Sequence, residues 1–304
     1  MAEEKDASRS QSQSVLNLDL GTAVRKLTGG IGRLVSKWAG AKVVTLDIDS
    51  TGIRLLETRG GVVRRWADTS FEPGKAEEEA SDALVLGRAV RQLMASSGIK
   101  ANKVIASLSG LYSVSRILSE SSLPPAPTTN EAVLELANEI MPLPENRRYL
   151  SWQTITADEG ERVFLTVGVA REVVDNEMRA LRAAGVTPQI IELRAMALIR
   201  AVNREQAFIL NIEPSSFDII IVVKGMPEIM RTIAWRQDDL IMEDTVEYLA
   251  SVLEMTVDFY NSSHLETPLD QTTPLFITGQ MSVNLDLVEK LKARSAYPVE
   301  PLLP

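Results

Sequence analysis

The strongest constraint on this chain is that it carries one strand pattern twice. Residues 44–62, VTLDIDSTGIRLLETRGGV, align without a gap on residues 208–226, FILNIEPSSFDIIIVVKGM. Leu46 falls on Leu210, Ser50 and Thr51 on Pro214 and Ser215, and Gly61 on Gly225. Internal similarity at a constant offset marks a repeated structural unit. In each copy an apolar strand runs into a small polar turn, and a second strand rich in Ile, Leu and Val follows. A Gly-containing turn then leads to a third strand. Such a chain folds as two related halves, each beginning with a three-stranded meander.

The rest of the sequence narrows what those halves do. At 304 residues there is room for about two domains of roughly 150 residues each. Basic residues number 32 and acidic residues 41, a net charge of −9 that opposes the phosphate neutralisation nonspecific nucleic-acid binding requires. Nucleic acid is therefore not an expected partner. Without a single cysteine the chain has no disulfide, no thiolate nucleophile and no Cys-based zinc site, which fits a reducing compartment. His264, the one histidine, lies in a polar stretch and reads as a surface loop residue, so a Ser-His-Asp site and a multi-histidine metal site are excluded. No apolar run reaches the ~20 residues of a membrane-spanning helix. The N-terminus has no basic start followed by an apolar core, and a cytoplasmic location is expected.

Met1–Ser14 is charged, Ser/Gln-rich and aperiodic, a composition of disorder. From Leu20 to Trp38, Val24, Leu27, Ile31, Leu34 and Val35 recur at helical spacing with Arg25, Lys26, Arg33 and Lys37 between them, interrupted at Gly29–Gly30. Two readings of this basic amphipathic helix stay open: it lies on an anionic bilayer surface, or it packs on its own domain. Beyond the first meander, spacing predicts a helix over 83–97 and a strand over 104–108. A small α+β block comes next: strand 112–118, a Pro-rich loop, helix 130–141 with Thr129 as a cap, strands 149–155 and 163–169, and helix 171–184. A helix over 193–202 leads into the second meander. Helix 244–260, strand 274–278, a turn at Gly279–Gln280, a helix from Ser282 to about Ala293 and a short edge strand within 298–304 complete the chain.

Several ordered motifs resemble one family. Asp47-Ile48-Asp49-Ser50-Thr51 stands where the actin-like ATPase superfamily has its first phosphate motif, Asp-Ile-Gly-Ser-Ser, with Arg54 at the usual basic position. VIASLSGLYSVSRILSESSLPPAP is similar to the strand pair and Pro-rich loop that open the inserted subdomain of the type IV pilus assembly protein PilM, a relative of the cell-division protein FtsA. LANEIMPLP at Leu136–Pro144 is similar to that family's acidic helix running into Ile-Pro-Phe-Pro, and Phe164–Pro188 resembles its next strand, helix and Ala-Gly turn. Asn211-Ile212-Glu213 stands at the second phosphate motif, usually Asp-Ile-Gly, and Phe276–Gln280 where the adenosine motif ends in a Gly-Gly pair. The resemblance to the PilM family implies an α/β, actin-like (duplicated ribonuclease H-like) fold with an inserted small α+β subdomain. It divides the chain into the tail and helix of 1–40, a first actin-like subdomain beginning with 41–109, the insertion at 110–193 and a shortened second subdomain at 194–304.

By the same resemblance, the cofactor-binding positions are Asp47, Ser50, Thr51, Asn211, Ser215, Ser216 and Gly279, around ATP and Mg²⁺. In such a site glycines let backbone N–H groups approach phosphate oxygens, and an Asp from each strand reaches the metal or its waters. Here Asp49 and Glu213 replace the two glycines. A carboxylate ~4 Å from a phosphate charge costs roughly 4 kcal/mol at an effective dielectric of ~20. Asn211 removes a metal-directed charge, and Gln280 narrows the adenine floor. The expectation is that ATP binding is weak or lost, that no cofactor is required and that no residue is catalytic: a pseudo-ATPase. Asp47, Asp49 and Glu213 holding a divalent cation is the other reading of these acids.

The function so implied is a cytoplasmic scaffold, peripheral to the inner membrane, in a type IV pilus or related secretion platform. Its partner is the cytoplasmic tail of a PilN-like membrane protein, docked between the first subdomain and the insertion, as a peptide binds a groove without nucleotide chemistry. Leu20–Trp38 is the expected lipid contact, and self-association is a further expectation. The alternative is an ATP-binding, polymerising FtsA-like protein.

Overall fold

The computed structural model describes residues 41–71, 82–122, 130–156, 162–235 and 242–302. The tail, the helix read over Leu20–Trp38 and the Thr129 cap lie outside the described residues. The described residues divide into two compact units, those within 41–108 and 112–193 and those within 109–111 and 194–302.

The first unit opens with the meander β1 (Lys42–Ile48), β2 (Gly52–Arg59) and β3 (Val62–Ser70). Val44, Leu46 and Ile48 alternate inward along β1, as do Ile53 and Leu55 along β2, so one face of this hairpin is apolar. Helix α1 (Ala83–Ser97) comes next; the Asp82 carboxylate accepts from the N–H groups of Leu84 and Val85 and caps it. Strand β4 (Lys103–Leu108) then enters parallel to β1.

The inserted sheet comprises β5 (Ser113–Ser119), β6 (Arg148–Thr156) and β7 (Arg162–Ala170), antiparallel in the order β5-β7-β6. Helix α2 (Asn130–Ile140) covers it through a small core of Leu118, Val133, Ala137 and Phe164. Helix α3 (Arg171–Ala184) returns to pack along α1, where Gly87 admits it so closely that a Cβ there would lie 2.7 Å from the Ala180 carbonyl.

Strand β8 (Thr187–Leu193) was not expected. It pairs parallel with β4 and completes a five-stranded sheet of order β3-β2-β1-β4-β8. Strand β8 lies in the first sheet and α3 packs on α1, while β5–β7 with α2 form a sheet and core of their own. Pro188 hid the strand. Lacking an N–H, proline is confined to edges and irregularities, and here the ladder shifts register between Val104 and Ile105, opposite Pro188 and Ile190.

The second unit begins with α4 (Arg194–Val202) and repeats the meander as β9 (Gln206–Ile212), β10 (Ser216–Val223) and β11 (Met226–Ala234). Helix α5 (Met242–Ser263), β12 (Leu275–Thr278), α6 (Leu285–Arg294) and β13 (Val299–Glu300) complete it, giving a sheet of order β11-β10-β9-β12-β13. The repeat extends to irregularities: β2–β3 slips register between Glu57 and Thr58, and β10–β11 at the matching Ile221 and Val222. Every residue of β10 is buried, unlike the alternating β2, so the second sheet reads as a continuous Ile/Val run. Among the described residues no helix is long and apolar enough to cross a membrane.

Candidate functional site: two equivalent turns

In the first unit, the β1–β2 turn is closed by the Asp49 N–H donating to the Gly52 carbonyl at 3.1 Å. Residues equidistant from this turn face each other across the hairpin, so Asp47 pairs with Arg54. The Arg54 guanidinium donates from Nη1 to Asp47 Oδ2 at 2.7 Å and to Asp49 Oδ2 at 3.1 Å. Ser107, beside Asp47 on β4, donates its hydroxyl to Asp47 Oδ1. Asp49 Oδ1 in turn accepts from the Thr51 N–H at 2.7 Å, the Thr51 hydroxyl at 2.6 Å and the Gly52 N–H at 3.1 Å. At 8% exposure, Asp49 is a buried carboxylate whose charge is met by a guanidinium and whose oxygen occupies the donors of its own turn.

The second unit builds the same turn differently. The Glu213 N–H donates to the Ser216 carbonyl at 2.9 Å, and the Trp235 N–H to the Ser215 carbonyl at 3.1 Å, matching the Phe71 N–H bond to the Thr51 carbonyl at 2.9 Å. Trp235 also donates its indole Nε1–H to the Glu213 carbonyl at 2.8 Å and packs on Phe217 at 4.7 Å between ring centroids. Across this hairpin Asn211 faces Asp218, the places taken by Asp47 and Arg54 in the first copy. Asn211 donates Nδ2–H to Asp218 Oδ2 at 2.8 Å and accepts the Thr278 hydroxyl at Oδ1 at 3.0 Å. Thr232 donates its hydroxyl to the other Asp218 oxygen. The position needs a side chain that both donates and accepts; an Asp at 211 would set a second carboxylate against Asp218, which is 3% exposed. Gly279, at φ +93, passes so near β9 that a Cβ would lie 2.4 Å from the Ile212 carbonyl oxygen.

The sites anticipated from sequence are thus distributed between the units. Asp47, Asp49 and Thr51 come together in the first with Ser50 beside them in the turn; Asn211, Glu213, Ser215, Ser216 and Gly279 lie in the second. The Asp49 carboxylate pairs with Arg54 and accepts from the Thr51 and Gly52 amides, so its charge is partly met and those donors are engaged within the turn. The residues present therefore do not offer a phosphate the donors that the first motif would supply. Sequence reading also passed over Ser107, Asp218, Thr232 and Thr278. For Asp218 and Thr232 the signal was available, since the hairpin turns fix which residues oppose one another; Ser107 and Thr278 come from parallel neighbours that no turn registers. His264 lies outside helix and strand, as expected, and is partly buried. Its ring stacks on Tyr260 at 4.1 Å, and its Nδ1 lies 2.9 Å from the Tyr260 carbonyl.

No protein-family profile and no curated protein matches the chain. Among solved structures, a chain of the PilM–PilN type IV pilus biogenesis complex superposes with a TM-score of 0.66, covering 85% of this chain and 87% of its own at 19% identity. The fold is the actin-like one. A Bacteroides thetaiotaomicron protein described as having an actin-like ATPase fold covers 87% of this chain and 92% of its own at 11% identity, with a TM-score of 0.49. The cytoplasmic domain of EpsL, an inner membrane component of the type II secretion system of Vibrio cholerae, covers 78% and 82% at 11% identity, with a TM-score of 0.48. The duplication seen in the sequence is the pair of five-stranded sheets.

Proposed function

We propose that this chain is a PilM-like scaffold of a type IV pilus or related secretion platform, cytoplasmic and held at the inner membrane by its partner, the tail of a PilN-like membrane protein. The observation that carries the reading is the shared architecture with a chain of the PilM–PilN complex, in an alignment covering 85% of this chain. The Asp49 turn supports the accompanying part, that ATP binding is lost or weak: the amides and the basic residue that phosphate would use are engaged within the protein. A scaffold of this kind acts by holding a peptide, with no residue assigned to catalysis.

The decisive experiment is binding of the full chain to synthetic N-terminal tails of the PilN-like proteins encoded beside it, read by calorimetry with and without MgATP. Saturable tail binding that ignores nucleotide is expected. Absence of tail binding overturns the scaffold reading. Tight, Mg²⁺-dependent ATP binding abolished by Asp47→Ala replaces it with the FtsA-like alternative.

A further inference from the structure

The two copies of the meander differ most at the far tip. In the first copy residues 59–66 are all exposed: Trp66 by 71%, Val62 and Val63 by 53% each. In the second copy Met226 and Pro227, matching Val62 and Val63, are buried, and Val223 takes the place of Arg59. One hairpin design is thus packed away in one unit and presented to the outside in the other. Val63 and Trp66, opposite Thr58 and Leu56, lie on one face of the hairpin, and large apolar side chains exposed together mark a contact.

Charge is concentrated at the same end. The tip supplies Arg59, Arg64 and Arg65; Lys42 opens β1 opposite Arg59; Lys100 and Lys103 lead into β4. Lys42 ties the group together, donating to the Lys100 carbonyl at 2.6 Å and pairing with Glu57 at 2.9 Å, while Arg65 takes the other Glu57 oxygen at 3.3 Å. Among the described residues no carboxylate pairs with Arg59, Arg64, Lys100 or Lys103. Lys42, Lys100 and Lys103 also line a pocket of about 370 Å³. This gathering of cations belongs to a chain of net charge −9.

We propose that this end of the first unit is a docking surface for an anionic lipid bilayer, with Trp66, Val62 and Val63 entering the interface and the surrounding cations meeting headgroup phosphates. Amphipathic side chains with an apolar body suit that boundary, and each nearby cation adds roughly fivefold to partitioning. Three features favour a bilayer over an acidic strand added along the β3 edge. The cations come from β1, the β2–β3 tip and the start of β4, more breadth than one strand covers. The register slip opposite Val63–Arg65 disrupts the edge that a strand would extend. The sequence that precedes β1, Leu20–Trp38, carries Arg25, Lys26, Arg33 and Lys37 with no acid among them. The proposal is independent of which protein tail the scaffold binds.

The test is flotation of the full chain with vesicles of phosphatidylglycerol and phosphatidylcholine, against pure phosphatidylcholine, in low and high salt. Binding is expected only with the anionic lipid and is expected to weaken at high salt. Arg59→Gln with Arg64→Gln should lower partitioning about 25-fold, from two cations at roughly fivefold each. As a second readout that leaves the tip cations in place, brominated lipid should quench tryptophan fluorescence in a Trp38→Phe background, and Trp66→Phe should remove that quenching. No binding to anionic vesicles, binding unchanged in the double variant, or quenching that survives loss of Trp66 would each overturn the proposal. An acidic peptide that binds the tip in place of vesicles would do the same.

Discussion

Replacing Asp49 by glycine restores the residue that the first phosphate motif ordinarily has, and so tests what the carboxylate does. Its Oδ1 accepts three hydrogen bonds within the turn, and its Oδ2 meets Arg54. At about 1 kcal/mol net for each hydrogen bond, the variant loses about 3 kcal/mol. The greater freedom of glycine in the unfolded chain adds about 0.5–1 kcal/mol to that loss. Arg54 keeps Asp47 as a partner, so no buried charge is stranded and the larger penalty of a broken ion pair does not apply. Asp49→Asn, which retains an acceptor for the turn, should cost about 1 kcal/mol. Urea unfolding followed at several wavelengths gives the global change, and amide exchange at Thr51 and Gly52 gives the local one. Both amides should be protected in the natural protein and exchange freely in Asp49→Gly. The freed amides should also make MgATP bind more tightly to the variant than to the natural chain. Stability within about 0.5 kcal/mol of the natural protein, the range of an inconsequential surface change, would refute the argument. So would ATP affinity that falls in Asp49→Gly, because Asp49 would then be a metal ligand instead of a stand-in for phosphate.

Other perturbations report on the second turn and on buried acids. Asn211→Asp should destabilise the protein by about 3 kcal/mol at pH 7, by setting two carboxylates together in a buried site; urea unfolding should show the loss shrinking in acid, as one of them takes up a proton. Gly279→Ala forces a Cβ against the Ile212 carbonyl at a positive φ, and should lower the melting temperature by several degrees or prevent folding. Burial raises the Glu228 carboxyl above its ordinary value, with His264 and Lys224 opposing. The folded state therefore holds that proton more tightly, and stability is lost as pH rises through the raised value; Glu228→Gln should be the more stable protein at pH 7 and gain nothing below about pH 4. Glu57 has the opposite sign: the hydrogen bond from Lys42 holds its carboxyl below the ordinary value, so its contribution is present at neutral pH and disappears in acid. Unfolding of Glu57→Gln and the natural chain should accordingly converge at low pH.

The fold was legible where the pattern was local and repeated. Helix Arg171–Ala184 has the bounds its spacing predicts, and the offset linking Leu46 to Leu210 carries through both hairpins to the matching register slips. Strand β8 was missed because its evidence is non-local: a short segment containing Pro188 becomes a strand only when β4 lies beside it. At the candidate site, the acids in place of glycine could be read directly, but their meaning could not. Sequence alone gives Asp49 an electrostatic effect on a ligand, whereas its neighbours make it the acceptor for its own turn.

Residue order therefore established a duplicated, two-unit architecture and, with no cysteine and one histidine, left no residues for thiolate or multi-histidine chemistry, since periodicity and composition are properties of the chain alone. Whether an acid repels, ligates or pairs depends on atoms within about 3 Å, at the range of a hydrogen bond. Those atoms belong to Arg54 and Ser107 in one unit and to Asp218 and Thr278 in the other, brought alongside by strand pairing. Likewise, the exposure of the valines and tryptophan of the β2–β3 tip belongs to the folded sheet, which leaves them at its surface.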